Sequence, residues 1–260
     1  MIDTHAHVHA SAFDKDRDAV LRRYWEAGGR ALLEVNISAA DWPKARELAA
    51  ADPRIVLSAG IHPHDSGAAS LADLERLFAA LPDPKIVAIG ETGLDYYRNY
   101  APHDVQQAFF RRHVEFARES GLPLVVHARA SHEDVLRILE EEGRGAVRGV
   151  LHCFSGDEAI AKRAGDLGFL LGFGGSVTYS PKKSGPLLRA VGLERMVLET
   201  DCPYLTPHPR RNDRNEPANI PKIAAAIADS LQVGIEEVER VTDSNAIRLF
   251  HLPADPADRA

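Results

Sequence analysis

The strongest constraint in this chain is a repeat of local pattern. Short runs rich in β-branched and other apolar residues alternate with longer amphipathic stretches. The pattern predicts strands at residues 2–7, 31–37, 54–60, 85–91, 122–127, 149–153, 169–174 and 195–200. Between them, residues 16–27, 40–51, 71–81, 105–120, 132–142, 158–167 and 182–191 carry apolar side chains at helical spacing. The pair Gly28 and Gly29, together with Gly121 and Gly168, stands where helix C-caps belong. Ile86, Val87, Ala88 and Ile89, like Leu124, Val125 and Val126, lack polar alternation. Strands buried on both faces under a shell of helices read that way. Eight strand–helix units in 260 residues predict an α/β fold, a TIM-type (β/α)₈ barrel. The reading is one domain over residues 1–252 and a frayed tail over 253–260. The competing fold, an open doubly wound sheet, usually carries a glycine-rich phosphate turn after its first strand. No GxGxxG or P-loop follows residues 2–7.

Composition narrows the function classes. Apolar residues make up 45% and charged residues 27%, ordinary values for a globular protein. With 31 Lys and Arg against 38 Asp and Glu, the net charge is −7. That balance argues against a broad basic face for duplex nucleic acid. It leaves room for a nucleic acid held locally by metal ions and a few arginines. Two cysteines, Cys153 and Cys202, rule out a disulfide-rich scaffold and a Cys₄ zinc site. No apolar run is long enough to span a membrane, so no membrane partner is expected. The opening MIDTHAHVHA lacks the basic and apolar regions of a signal peptide, and a cytoplasmic location is the expectation. The Pro- and Arg-rich stretch 203–217, just after the eighth strand, reads as a functional loop.

The chemistry-bearing residues gather at one end of the predicted strands. His5 and His7 close the first strand two residues apart, so both imidazoles face one side. Glu91 ends the fourth strand, His127 the fifth, and His152 lies near the end of the sixth. Asp201 follows the eighth. The C-terminal edge of such a barrel is where active sites sit. A mixed histidine and carboxylate set suits divalent ions such as Mg²⁺, Mn²⁺ or Zn²⁺. Six ligands exceed the needs of one tetrahedral ion, so two ions with Glu91 bridging are expected. A lone histidine at a strand end is more often a satisfied polar group, and only the agreement of five strand ends favours metal.

Further residues belong to the same edge. Asp95 is placed to orient a ligand. Tyr96, Tyr97 and Arg98 suit stacking on a base and pairing with phosphate, with loop packing the bland alternative for the tyrosines. Arg129 shares the face of His127, and Glu199 that of Asp201. A surface salt bridge is the alternative for Arg129, and a structural carboxylate paired with an arginine that for Glu199. His9 is either a partner behind the site or exposed. His103, His113, His132, His208 and His251 read as solvated or capping residues, and Asn245 as capping or packing in a late helix.

The ordered segments IDTHAH, GIHPH, ETGLDYYR, VVHAR, LHCFSG, LETDCPYLTP, RNEPANIP and SNAIRLF resemble the TatD family of metal-dependent deoxyribonucleases, within the amidohydrolase-like barrels. The resemblance runs from Ile2 to about Phe250, and LHCFSG and LETDCPYL are its specific parts. It implies a barrel whose divalent metal centre hydrolyses phosphodiesters. It places the metal ligands on His5, His7, Glu91, His127, His152 and Asp201, and a contact to substrate phosphate or the metal pocket on His62. The first motif departs from the commoner DTHCHLD in carrying Ala6 and His9, and the loop before Asn215 lacks a glycine common in the family.

The expected activity is therefore metal-dependent phosphodiester hydrolysis by an activated water, with Asp201 and Glu91 catalytic. His62 and Arg98 or Arg129 supply further donors to the phosphate. The charge favours a 3′–5′ exodeoxyribonuclease that trims single-stranded ends, and no obligate protein partner is inferred. A metal-dependent ester or amide hydrolase, such as a D-aminoacyl-tRNA deacylase, is the alternative. A non-catalytic metal-binding module is the remote one.

Overall fold

A computed structural model describes residues 1–253; residues 254–260, most of the tail expected to fray, lie outside the described residues. Eight parallel strands form one sheet in chain order. They are β1 (Ile2–Ala6), β2 (Ala31–Val35), β3 (Ile55–Ala59), β4 (Ile86–Asp95), β5 (Leu124–Arg129), β6 (Gly149–Leu151), β7 (Phe169–Phe173) and β8 (Met196–Leu198). Seven helices cover its outer face: α1 (Arg17–Glu26), α2 (Trp42–Ala51), α3 (Leu71–Phe78), α4 (His103–Ser120), α5 (His132–Gly143), α6 (Glu158–Asp166) and α7 (Pro181–Val191). Two more follow β8, α8 (Ile220–Leu231) and α9 (Ile235–Phe250). The result is the TIM-type barrel that the alternation predicts.

Local chemistry explains the boundaries. Ser70 and Asp73 form a reciprocal capping box at the start of α3, and the Asp157 side chain accepts the Ile160 amide at the start of α6. Gly28, Gly121 and Gly168 follow helices with φ of +88°, +73° and +84°. This is the left-handed conformation that stops a helix and that glycine adopts without strain.

The strands are buried on both faces, for two different reasons. Outward residues such as Leu32, Ile55, Leu124 and Leu171 pack against helix residues such as Val20, Leu74 and Phe110. Inward residues Leu33, Val35, Val56, Val87, Val125, Val150 and Val197 form a second cluster with Ala246, Leu249 and Phe250. Helix α9 thus closes the N-terminal end of the barrel. Asn245 fastens it there by donating to the carbonyls of Leu193 (2.9 Å) and Met196 (2.8 Å). The Ile2 amide donates to Asp243 (2.8 Å).

The seam between β8 and β1 is closed beyond the end of β8. His7 N donates to Cys202 O (3.0 Å) and Asp201 N to His5 O (2.8 Å). Asp3 reinforces the seam by accepting from the Thr200 amide (3.0 Å) and hydroxyl (2.6 Å). Burial pushes the Asp3 carboxyl up to about 7, against those hydrogen bonds.

Strand β4 runs four residues past its expected end. It swells against β5, where Ile89 pairs with Leu124 but Thr92 already pairs with Val126. Two glycines permit this close approach. A Cβ on Gly90 (φ +131°) would lie 2.4 Å from the Val125 carbonyl oxygen, and one on Gly93 (φ +127°) 2.0 Å from that of His127. His113, expected to be solvated or capping, is instead fully buried on α4. Its Nδ1 donates to Phe109 O (2.7 Å) and its Nε2 accepts from the Ile61 amide (3.1 Å). The bond accepted by Nε2 requires a neutral ring, and burial pulls its pKa down to about 4.

Two outcomes follow from this packing. Gly93→Ala should destabilise the protein by about 2–5 kcal/mol in urea unfolding, from backbone strain plus the clash on β5. A loss below about 0.5 kcal/mol would show that the β4–β5 contact is not tight. For His113, the unfolded ring takes up a proton near 6.5 and the folded ring only near 4. Its contribution is therefore complete above pH 6.5 and disappears as the pH falls toward 4. The stability gap between wild type and His113→Gln should narrow by about 3 kcal/mol across that window. A pH-independent gap would refute the neutral-ring assignment.

Candidate metal centre at the barrel mouth

The inward positions that carry valines in the barrel interior carry ionisable groups one or two steps later. Val125 is followed by His127, Val150 by His152, and Val197 by Glu199 and Asp201. On β1 the pairing to β2 shifts between Asp3 and Ala6, which brings His5 and His7 into the same register. The period of two thus delivers these residues to one mouth.

Glu91 stands at the centre. Its Oε2 lies 3.2 Å from His5 Nε2 and 3.7 Å from His7 Nε2. Its Oε1 lies 2.8 Å from His152 Nε2, and 3.3 Å from both His127 Nδ1 and His62 Nε2. Asp201 faces the first pair, with Oδ1 3.5 Å from His7 Nε2 and 3.8 Å from His5 Nε2. All six expected ligands are therefore within one cluster, and Glu91 divides it into two halves.

Several histidines are held in a defined tautomer by groups behind them. His7 Nδ1 donates to Val35 O (2.8 Å), leaving the Nε2 lone pair for the mouth. His127 Nε2 is held by Asp95 Oδ2 (3.2 Å), leaving Nδ1 for the mouth. The same Asp95 oxygen holds His64 Nε2 (2.7 Å), while Oδ1 accepts the amides of Tyr97 and Arg98, both at 2.9 Å. Asp95 thus orients His127, and His64 is a second partner that the sequence reading missed. Its signal was the second histidine of Gly60-Ile61-His62-Pro63-His64. His62 is different. Its Nδ1 accepts the His64 amide (3.1 Å), so a neutral His62 turns an N–H toward Glu91. Burial pulls its pKa down to about 4, which keeps it neutral. His62 meets the mouth as a donor, where His7 and His127 meet it as acceptors.

The electrostatics match this picture. Despite the cost of burial, the surrounding imidazoles hold Glu91 well below the usual carboxylate range. Asp201 is lowered by its hydrogen bond to His7 and by the nearby histidines, again against burial. His7 is held up at about 9 by Asp201 and Glu91, although burial works against its charge. Opposed nitrogens lie close together: His5 Nε2 to His7 Nε2 at 3.1 Å, and His127 Nδ1 to His152 Nε2 at 3.2 Å. Each pair can share a single proton, in keeping with the raised His7 and His152, and a divalent cation can take the place of those protons. Converging nitrogens and ionised carboxylate oxygens are the donor set that fits divalent metal ions.

Other residues fall differently from expectation. Glu199 is not at a substrate surface and, among the described residues, pairs with no arginine. It is fully buried behind His152, 3.7 Å from His152 Nδ1, and accepts the Cys153 amide (2.5 Å). Gly172 on β7 leaves the room that this carboxylate fills, since a Cβ there would lie 2.2 Å from Glu199 Oε2. Tyr96 does not join the mouth either. Its hydroxyl donates to Asp134 (2.8 Å) and accepts from Gln107 (2.7 Å), and its ring stacks on His103. Packing between α4 and α5 won over stacking on a substrate. Arg98 and Arg129 are exposed at the rim, with Arg129 4.1 Å from the centre of the Tyr97 ring. His9 is buried and hydrogen-bonded to Glu34, whose carboxylate also accepts the amides of Val8 (3.1 Å) and His9 (3.0 Å). Both cysteine thiols are free, and burial pushes both pKa values far up, so neither offers a thiolate nucleophile.

Asp201 itself has φ of +54°, a conformation a non-glycine residue adopts only when its surroundings impose it. The loop after it supplies the constraint. Asn215 is buried and donates to the carbonyls of Thr200 (2.8 Å) and Tyr204 (2.7 Å). Arg214 ties the same loop to Asp16 at 2.7 Å through both terminal nitrogens.

Comparison with known proteins bears on this geometry. The family model described as TatD related DNase matches residues 2–251. A Bacillus subtilis protein named as the uncharacterized metal-dependent hydrolase YabD is 37% identical over 97% of this chain and 99% of its own length. A Klebsiella pneumoniae protein named 3′-5′ ssDNA/RNA exonuclease TatD is 34% identical over 97% of this chain and 98% of its own. The crystal structure of the TatD homologue YjjV from Escherichia coli superposes with a TM-score of 0.91 at 28% identity, covering 97% of this chain and 98% of that one. The shared fold and the full-length match make this chain a member of the TatD-related DNase family of metal-dependent hydrolases.

Proposed function

We propose that this barrel, residues 1–252, is a 3′–5′ exonuclease for single-stranded DNA ends, working with two divalent ions at the mouth. The observation that carries the proposal is the division of Glu91: one oxygen faces His5 and His7, the other faces His127 and His152. His5, His7 and Asp201 would hold one ion, His127 and His152 the other, with Glu91 between. Relatives named as single-strand exonucleases support the substrate class. When bound, such ions make a water more acidic and offset charge on phosphoryl oxygens.

The chain's own groups supply the rest. Asp201, ionised and at the rim of the cluster, accepts the proton of the attacking water. His62, neutral and donating through Nε2, hydrogen-bonds to a phosphoryl oxygen. Arg98 and Arg129 pair with the flanking phosphate. Asp95 orients His127 from behind, which fixes its lone pair before substrate arrives, and the buried Glu199 carboxylate faces His152 Nδ1 at 3.7 Å. No helix among the described residues is long and apolar enough to cross a membrane, and two free thiols suit a reducing compartment, so the cytoplasm is the proposed location. No obligate protein partner is proposed.

Protein stripped with chelator and refilled separately with Mg²⁺, Mn²⁺ or Zn²⁺ should shorten end-labelled single strands from the 3′ end. It should bind close to two ions per chain by elemental analysis. Ester turnover with intact oligonucleotides would move the substrate to acyl chemistry. Metal-replete Asp201→Asn should lose about 10²–10⁴ in kcat, and retained turnover would exclude Asp201 as the base. Asp95→Asn should weaken metal affinity about 10–100-fold in titration calorimetry while the barrel stays folded by circular dichroism. Unchanged affinity would remove Asp95 from the support of His127.

A further inference from the structure

Among the described residues, four large apolar or aromatic side chains are exposed, and three of them are tyrosines: Tyr97 (61%), Tyr100 (65%) and Tyr204 (59%). All three stand at the mouth. Tyr204 follows Asp201 and lies edge-on to His7, with ring centres 6.3 Å apart. Tyr100 lies edge-on to His64, with ring centres 4.8 Å apart. Tyr97 carries the Arg129 guanidinium on its ring at 4.1 Å, with Arg98 at 5.5 Å. Neither arginine has a carboxylate partner within 4 Å among the described residues.

The arrangement has two sides. Tyr204 flanks the half of the cluster made by His5, His7 and Asp201. Tyr97 and Tyr100 flank the half made by His62 and His127, through His64 and Asp95. Burying these rings inside the fold would gain apolar contact, as it does for Tyr24 on α1. Three amphipathic rings left in water around one cluster of histidines and carboxylates mark a surface that completes itself on a ligand. An aromatic face accepts any nucleobase, and an unpaired arginine on its far side adds a cation–π contribution and a phosphate contact. A protein with a net charge of −7 has little long-range attraction for a polyanion.

We infer that Tyr204 on one side, and Tyr97 with Arg129 and Tyr100 on the other, are base-stacking subsites that bracket the scissile phosphodiester. This rests on the nucleic-acid reading above and deepens it. The substrate they select is a strand whose terminal bases are already unstacked. A duplex end would first have to be opened, since its bases present no free face.

The test separates stacking from charge. Fluorescein-labelled oligothymidylate of five nucleotides, protected by phosphorothioate linkages, would be titrated with Mg²⁺-loaded protein and followed by fluorescence anisotropy. A fully abasic strand of the same length and charge would be titrated beside it. The base-bearing strand should bind at least about tenfold more tightly. Tyr204→Ala and Tyr97→Ala should each reduce that ratio by roughly 5- to 150-fold or bring it to one, while Tyr204→Trp should keep it. A structural role for the tyrosines would weaken both strands equally and leave the ratio intact. Equal binding of the two strands by the wild type would overturn the stacking subsites while leaving the exonuclease reading in place. Failure to bind either strand would overturn both.

Discussion

The site depends on one buried carboxylate. Glu91 faces five imidazole nitrogens at 2.8–3.7 Å, and its low proton affinity is a property of that cage. A charge this deep is tolerated only when its neighbours are fixed in advance. Much of the barrel around it can be understood as meeting that condition. Gly90 and Gly93 let β4 press against β5, which brings Glu91 beside His127. The Glu91 amide donates to Asn36 O (3.0 Å), tying the same residue to β2.

The histidines around Glu91 are not equivalent, and the difference lies behind them. Val35 O and Asp95 each claim the outer nitrogen of one ring, and so set which lone pair reaches the mouth. The amide of His64 does the opposite to His62. It takes the outer lone pair and leaves an inward N–H, a group that donates to an oxygen and cannot ligate a metal. One protein therefore uses the same side chain as metal-ligand candidate and as hydrogen-bond donor, separated by a single backbone contact.

Most of the fold was legible in the sequence because its signals are local. Apolar runs without polar alternation announced buried strands, and the glycines after α1, α4 and α6 announced helix ends. The six-residue cluster was legible for the same reason: period two carries side-chain direction from Val125 to His127 and from Val197 to Asp201. What was not legible depends on neighbours distant in the chain. Tyr96 and Tyr97 are adjacent and chemically identical, yet one is packed against Asp134 and Gln107 and the other is left open. His113 looks like any helix histidine until the Ile61 amide is placed against it. Helix α8 buries Ile220, Ile223, Ala224 and Ile227 at helical spacing, a local signal that the reading by strand–helix units does not include.

The sequence by itself determined the barrel, its C-terminal edge as the working edge, and the residue types delivered there, since each follows from spacing along the chain. Only the tertiary structure decided which ring nitrogens face Glu91, that His64 shares Asp95 with His127, and that Glu199 is buried behind His152. Those outcomes are set by pairwise distances across the barrel. Spacing along a strand says which way a side chain points; what it meets there is settled by the strands on either side.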